Sequence, residues 1–362
     1  MNSKNRWQQV LRGGVAVLSL ALLASCGGGK REAFHPGHMY VFGDEFSYVD
    51  IQYTASATDG VRYTVNHLKA VGGQTAQPLI FPSWTQYLAS HYDKAEQPCA
   101  ATESDAMSMC AGAGANTTVA DTVAAIDTKS FQKDELVVIM AGTRDILNAY
   151  QSFKAGGSID TLATTVKNAG IQLGQKINAI TTTGARVAVA TIPDIGLSAY
   201  ANAEAGGVAN LRNYSQAMDC DTAYRPGTGE YSKALSYLTA CFNYGLRGTN
   251  GIVNDGKKIA LITTFDWSVL VARNPTGYLG TYANAFDPAC TTPAHNSSAI
   301  FSVSDAVTCN YYYDSSTGTT TTSAATYGTT SYMWAFGPWL APAGQAMLGS
   351  RAVNQVNLNW GE

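Results

Sequence analysis

Continuous apolar runs alternate along the chain with segments in which apolar residues recur every three or four positions. The runs predict strands that are buried on both faces, at His38–Phe42, Glu135–Ala141, Arg186–Ile192 and Lys257–Thr263. The three-to-four periodicity and the cap residues predict helices over Ser83–His91, Ser158–Thr183, Leu235–Leu246, Asp266–Arg273 and Ala341–Val356. Strands that alternate with helices predict an α/β fold in which helices cover both faces of a parallel sheet.

The first 26 residues have the pattern of a secretion signal. A basic flank precedes the apolar run Val15–Leu23, which is too short to cross a bilayer as a mature helix. The run ends in Leu23–Cys26 (LASC), which resembles the bacterial lipobox; the alternative is an ordinary signal peptide with a chance cysteine. The resemblance implies lipidation at Cys26, a tether over residues 27–36, and an outer-membrane lipoprotein of a Gram-negative bacterium that faces the periplasm or the surface.

The remaining cysteines fit an oxidising compartment. The six form three neighbouring pairs along the chain, and we expect local disulfides, one of the fifteen pairings that six cysteines allow. These pairs are Cys99–Cys110, Cys220–Cys241 and Cys290–Cys309. None has CxxC spacing and no histidine stands beside them at metal-ligand intervals, so we expect no metal and no cofactor.

Composition favours one large exported domain without nucleic-acid partners. The chain has 362 residues, of which 46% are hydrophobic and only 14% charged, and the formal net charge is -3. Nucleic-acid binding requires clustered Lys and Arg, which the sequence lacks. We expect a domain over 37–362 that contains an irregular, Ser/Thr-rich surface insertion at 288–331.

Four motifs, in chain order, resemble blocks of the SGNH/GDSL hydrolases, in particular the lipase/esterase branch. They are Phe42–Ser47 (FGDEFS) for FGDSLS, Gly142–Asp145 (GTRD) for GxND, Pro193–Gly196 (PDIG) for PDxG, and Tyr332–Gly344 for the last block. The resemblance implies a flavodoxin-like three-layer α/β sandwich and ester hydrolysis. The run Ala111–Ala115 (AGAGA) resembles the second block, which would make Gly112 an oxyanion donor; a tight loop against the sheet is the alternative reading.

The catalytic residues of that family are replaced in this chain. The nucleophile position is Glu45, the Asp and His positions are Phe336 and Trp339, and the Asn that would donate to an oxyanion is Arg144. A nucleophile needs a base within hydrogen-bond reach, and two large apolar rings cannot move protons. A shifted alignment does not restore the base, because residues 315–362 contain no His.

Three other arrangements of the same residues remain open. Ser47 is either a substitute nucleophile or the cap of a following helix. Asp44, Glu45 and Asp145 could form a carboxylate pair of the glycosidase kind. Glu45 and Arg144 could instead form an ion pair under Trp339 and Phe336, unless Arg144 extends into solvent.

The most economical interpretation is an envelope lipoprotein whose hydrolase fold has become catalytically inactive. Its old cleft, lined by Trp334, Trp339 and neighbouring rings, would bind a lipid or glycan. Alternatives are an active ester hydrolase with a non-standard site, and a structural partner in the envelope. An open cleft would favour binding, and a plugged cleft would favour the structural role; the sequence names no protein partner.

Overall fold

A computed structural model describes the larger part of the chain. The described residues are 33–50, 61–69, 81–98, 108–114, 116–205, 219–222, 224–290, 309–314, 319–322, 324–325 and 327–361. The signal peptide, Cys26, most of the tether and Cys99 lie outside them. The main compact unit is His35–Asn359; of the chain ends outside it, Phe34 meets the Trp360 ring edge-on, with centroids 5.4 Å apart.

Six of the described strands form one parallel sheet at the centre of this unit. They are β1 (Met39–Gly43), β5 (Ala95–Pro98), β6 (Ser108–Ala113), β7 (Leu136–Met140), β8 (Arg186–Ala190) and β9 (Ile259–Ile262). Their spatial order is β5-β6-β1-β7-β8-β9, and each neighbouring pair is parallel. Every residue of β1 and β7 is buried, as their uninterrupted apolar sequences predict. The α/β class and the parallel sheet are thus confirmed.

Helices follow most of these strands. They are α1 (Trp84–His91), α2 (Val119–Asp127), α3 (Thr143–Lys154), α4 (Ile159–Thr182), α5 (Ala199–Ala205), α6 (Tyr231–Arg247), α7 (Thr264–Arg273), α8 (Pro275–Leu279) and α9 (Pro342–Trp360). Capping boxes at Ser83 and Thr118 fix the starts of α1 and α2. Among the helices described, none has the length and apolar content that a membrane span requires.

Close packing of α4 against α6 helps to fix the end of β8. A side chain on Gly170 would come within 2.2 Å of the Phe242 carbonyl oxygen, so only glycine permits this approach. On the same helix as Phe242, the Asn243 side-chain amide accepts from the Ile192 N–H (2.9 Å) and donates to the Ile192 carbonyl (2.8 Å). Helix α6 therefore holds the segment that leaves the sheet after β8.

The remaining strands form small accessory sheets. They are β2 (Val49–Asp50), β3 (Val61–Arg62), β4 (Asn66–Lys69), β10 (Asn284–Pro288), β11 (Asn310–Asp314), β12 (Thr319–Thr322), β13 (Tyr332–Phe336) and β14 (Trp339–Leu340). Strand β13 lies between β10 and β14, and β11 lies between β4 and β12.

The segment 288–331 is not irregular throughout, which corrects the sequence-based expectation. Its described part contains β11 (NYYYD) and β12 (TTTT), which pair antiparallel, and β11 also pairs with β4 in parallel. Tyrosine and threonine have high β propensity, and the threonine run that looked like low-complexity loop is a strand. The partner strand β4 is remote in sequence, so periodicity within the segment could not predict this sheet.

Two of the three expected disulfides are present. Cys220 pairs with Cys241 on α6, and Cys290 pairs with Cys309 just before β11. The expected Cys99–Cys110 pairing is not testable here, because Cys99 lies outside the described residues. The Cys220–Cys241 bridge joins the loop around Cys220 to α6. The Cys290–Cys309 bridge joins the segment that follows β10 to the start of β11.

Candidate functional site

The loops that follow β1 and β7 meet at the carboxyl edge of the parallel sheet. Two glycines with positive φ make this meeting possible, Gly43 at 134° and Gly142 at 124°. A Cβ on Gly43 would lie 1.9 Å from the Met140 carbonyl oxygen, and one on Gly142 would lie 2.1 Å from the Phe242 ring. Only glycine avoids both the backbone strain and these collisions. The motif residues after each strand are thereby brought together.

Asp44 connects the two loops. Its N–H donates to the Met140 carbonyl (3.0 Å), and its Oδ2 accepts from the Thr143 N–H (2.9 Å). The other carboxyl oxygen accepts from the Phe46 N–H at 3.2 Å. Burial, reinforced by the charge of Glu45, raises the pKa of Asp44 to about 7, although the Thr143 and Phe46 donors act against the rise. Asp44 therefore joins the loops after β1 and β7 through buried hydrogen bonds.

Glu45 and Arg144 form the ion pair that their alignment predicts. Oε1 of Glu45 accepts from Nε of Arg144 and also from the Asn116 N–H at 2.7 Å. The Glu45 and Arg144 side chains are 0% and 3% exposed, so Arg144 does not extend into solvent. Oε2 of Glu45 is buried without a hydrogen bond in the described part of the chain. Burial raises the pKa of Glu45, while Arg144 and Asn116 oppose the rise.

Aromatic rings cover this pair. The Arg144 guanidinium carbon lies 5.6 Å from the centre of the Trp339 ring, within the range of a cation–π contact. Phe46 and Tyr63 meet Trp339 edge-on, with ring centroids 5.3 and 5.2 Å away. Phe336 stacks on Tyr63 at 6.3 Å, and all four rings are fully buried. The expected cover by Trp339 is confirmed.

Ser47 does not cap a helix, which corrects one of its two predicted roles. Its N–H closes a turn onto the Asp44 carbonyl (3.0 Å), and the chain then enters β2. Oγ of Ser47 accepts from the indole N–H of Trp84 at 3.2 Å. An indole N–H is a donor only, so it cannot remove the hydroxyl proton. The residue that contacts the Ser47 hydroxyl therefore supplies no general base.

Asp145 has a separate partner. Its Oδ2 accepts from the Val119 N–H (2.9 Å) in the first turn of α2, where a negative charge complements the helix dipole. Burial raises its pKa, and the Val119 donor opposes that change. Asp44, Glu45 and Asp145 each bind backbone N–H groups, which is the bonding of structural carboxylates. The carboxylate pair of the glycosidase kind stays a prediction.

The expected oxyanion donor Gly112 and the expected cleft residue Trp334 both lie in strands. Gly112 stands within β6, opposite Phe42, and the N–H that reaches the carboxylate belongs to Asn116. Asn116 has φ of 59°, a left-handed conformation that asparagine tolerates, but the sequence alone does not show that this residue adopts it. Trp334 is fully buried and donates its indole N–H to the Ala285 carbonyl (2.9 Å), apart from the ion pair.

A second buried carboxyl lies after β8. Asp194, from the PDxG motif, accepts from the Ser236 hydroxyl (2.5 Å) and from the Gly196 N–H (2.9 Å). Its other oxygen is buried without a hydrogen bond within the described residues. Burial raises its pKa to about 6 despite the two donors. The motif predicts the position of this residue, whereas its partner Ser236 has no sequence signal.

No family model matches the sequence, and a search of curated proteins finds no match either. Among the described residues, no group of three or more His, Cys, Asp or Glu side chains is arranged to hold a metal ion.

Proposed function

We propose that this chain is a cell-envelope lipoprotein with an SGNH hydrolase type of fold whose former catalytic centre is now a structural ion pair. The observation that carries the proposal is the position of the Glu45 carboxylate. It occupies the point where the Asn116 N–H and the Arg144 guanidinium converge. Two donors that converge on one oxygen are the arrangement that an oxyanion hole offers to a substrate carbonyl.

A substrate carbonyl would have to displace an internal anion to reach these donors. Glu45 is held there by a charged partner; both side chains are buried, and the Trp339 ring lies over Arg144. Breaking a buried charged pair costs several kcal/mol, which an uncharged ester group does not return. The Glu45 side chain of the protein itself therefore blocks these donors.

Two of the described histidines lie away from this edge. His38 precedes β1, at the opposite end of the strand, where it lies 3.6 Å from Glu135. His91, on α1, forms a hydrogen bond with Asn357. The position of the missing histidine is taken by Trp339, which cannot exchange a proton at physiological pH.

The aromatic residues expected to bind a lipid or glycan in the old cleft are part of the interior. Trp334, Phe336 and Trp339 are each 0% exposed. A plugged centre of this kind favours a structural or binding role exerted through the protein surface. The lipid anchor at Cys26 and the outer-membrane location belong to the same proposal and rest on the lipobox resemblance.

An ester-hydrolysis assay tests the loss of catalysis. We expect the purified mature protein to hydrolyse short-chain aryl esters no faster than buffer does. The Glu45→Gln and Ser47→Ala variants should show the same rate. Turnover that either substitution abolishes in a variant that remains folded would overturn the proposal, because it would assign the residue a catalytic role. Turnover retained by both variants would indicate a contaminating esterase.

Lipid attachment is tested separately. Cells that express the full chain with radiolabelled palmitate should incorporate label into the protein, and Cys26→Ser should remove it and release the protein from the membrane fraction. Label that persists in Cys26→Ser would exclude this anchor.

A further inference from the structure

We propose that Tyr282 and Tyr327 form a surface binding site for an uncharged carbohydrate. The two rings lie parallel, with an interplanar angle of 1° and centroids 4.0 Å apart. Tyr282 is 59% exposed and Tyr327 is 46% exposed, so the stacked pair stands in solvent. Stacking covers one face of each ring and leaves the outer faces and edges open. This inference does not depend on the loss of catalysis proposed above.

The backbone beneath Tyr327 is strained in a way that stability does not require. Tyr327 has φ of 64°, in the left-handed region that bulky residues avoid. It is the third residue of a turn closed by the Gly328 N–H on the Ala325 carbonyl (2.8 Å), a position where a positive φ favours glycine. Here the glycine comes one residue later. A half-exposed ring recovers little apolar burial in return for this strain. Strain of this kind concentrates at ligand-binding positions.

Both tyrosines are held by a continuous backbone framework. The Ser331 N–H donates to the Tyr327 carbonyl (2.9 Å), and the Ser331 carbonyl accepts from the Asn284 N–H (2.8 Å). Asn284 begins β10, two residues after Tyr282. The backbone segments that carry the two rings are therefore joined before any ligand binds, which lowers the entropy that binding would cost.

The two sequence segments that carry the tyrosines contain little charge. Residues 274–290 contain a single charged residue, Asp287, and residues 315–350 contain none. The Asp287 carboxylate is already engaged by the side-chain amides of Asn202 (2.7 Å) and Asn284 (2.9 Å). Neither segment contains a basic residue to attract phosphate or another anion. The ligand that fits is therefore uncharged.

A neutral sugar combines the two properties that this surface can recognise. Its ring presents a flat face of C–H bonds, which packs against a tyrosine ring, and a rim of hydroxyl groups. The tyrosine hydroxyls and the exposed Thr281 and Thr330 supply polar partners at that rim. An anionic membrane surface would require Lys or Arg beside the aromatic residues, which these segments lack.

Affinity electrophoresis through gels that contain neutral polysaccharides tests the site. The probes are a β-1,3-glucan, a β-1,4-mannan and an α-1,6-glucan, each with the purified mature protein. We expect at least one of these polysaccharides to retard the protein. Tyr282→Ala and Tyr327→Gly should each raise the Kd for that polysaccharide at least about tenfold. Tyr282→Phe keeps the flat ring and should stay within about threefold of the parent.

Two controls separate binding from folding. Tyr327→Gly relieves the positive-φ strain, so its thermal midpoint should equal or exceed that of the parent while binding is lost. Tyr224→Ala removes a tyrosine of similar exposure (44%) that faces Glu230, and it should leave retardation unchanged. The proposal is overturned if none of the three polysaccharides retards the protein, or if Tyr282→Ala and Tyr327→Gly both bind normally. It is also overturned if the tyrosines instead support self-association or binding to phosphatidylcholine vesicles, measured by sedimentation.

Discussion

Two arginine–carboxylate pairs in this molecule have the same chemistry and opposite surroundings. The Glu45 and Arg144 side chains are 0% and 3% exposed, whereas the Asp160 and Arg225 side chains are 52% and 61% exposed. Water screens the second pair and hydrates each partner when the pair opens. The first pair has no such alternative, because the Trp339 ring lies over Arg144. Burial, and not the ion pair itself, determines what each interaction contributes.

The comparison shows what the buried pair contributes at the sheet edge. A buried pair is a weak source of net stability, because desolvation of both groups offsets their attraction. Once the charges are buried, however, each depends strongly on the other. The Glu45–Arg144 pair therefore specifies one arrangement of the loops after β1 and β7, and alternative arrangements would leave a charge without its partner.

Breaking the buried pair should give the largest effect. Glu45→Gln or Arg144→Gln alone is expected to lower the free energy of unfolding by about 3–5 kcal/mol, because the remaining charge loses its partner in a desolvated site. The double variant should lose less than the sum of the two single losses. Urea unfolding of the four proteins measures this coupling. Strictly additive losses would show that the pair is not energetically coupled.

The second-largest effect should be a pH dependence of stability that comes from the buried edge of the sheet. The native pKa of Asp44 is raised to about 7 from its ordinary value of 3.8, so the native state binds more protons than the unfolded state between these values. Stability should therefore be greatest at the acidic end of this range and fall as the pH rises toward 7. One such group contributes a slope of at most about 1.4 kcal/mol per pH unit.

Asp44→Asn isolates that contribution. Urea titrations should cover about pH 5 to about pH 8, a range that includes the native pKa. Over this range the free energy of unfolding should decline less steeply in the variant than in the parent. Some slope should remain, because the pKa of Asp194 is also raised, to about 6. An unchanged slope in Asp44→Asn would exclude Asp44 as its source.

Trimming the aromatic cover should have a moderate effect. Trp339→Phe is expected to cost about 1–2 kcal/mol. Its coupling with Arg144→Gln should be about 1 kcal/mol, because a desolvated cation–π contact is worth about 2 kcal/mol and the Phe ring retains part of it. Trp267→Phe is the matched control, because Trp267 is equally buried and has no cation over its ring among the described residues. Equal coupling of both tryptophans to Arg144→Gln would contradict a specific contact.

Breaking the exposed pair should give the smallest effect. Asp160→Asn, Arg225→Gln and the double variant should unfold within about 0.5 kcal/mol of one another. The coupling energy of Asp160 with Arg225 should fall further in about 1 M salt, which screens exposed charges beyond about 3 Å. The coupling energy of Glu45 with Arg144 should persist, because that pair is buried. Salt-dependent urea titrations measure both. A coupling for Asp160 and Arg225 as large as that of the buried pair would refute the role given to burial.

Local sequence predicted the parts of the fold that depend on local patterns. The uninterrupted run of β7 and the periodic stripe of α4 each had one plausible structure, and both are present. Position in the motifs also predicted that Glu45 and Arg144 would meet, because the ends of neighbouring parallel strands converge.

Features that depend on distant partners could not be predicted in this way. Strand β11 pairs with β4 across most of the chain, and the Asn116 donor is placed by a loop conformation. Ser47 stands before a strand and not a helix, although its sequence context suits a cap. In each case the deciding contact is made by a residue that no local pattern identifies.

The order of residues along the chain has a consequence for how the molecule is made. Glu45 and Arg144 belong to the first half of the sequence, while Trp339, which covers Arg144, lies on β14 and directly precedes the last helix. A chain that emerges amino-terminus first can thus bring the two charges together early, but they stay hydrated until its final strands arrive. The closing of the interior is a late event in biogenesis, and a chain truncated before β14 would leave this edge hydrated and open.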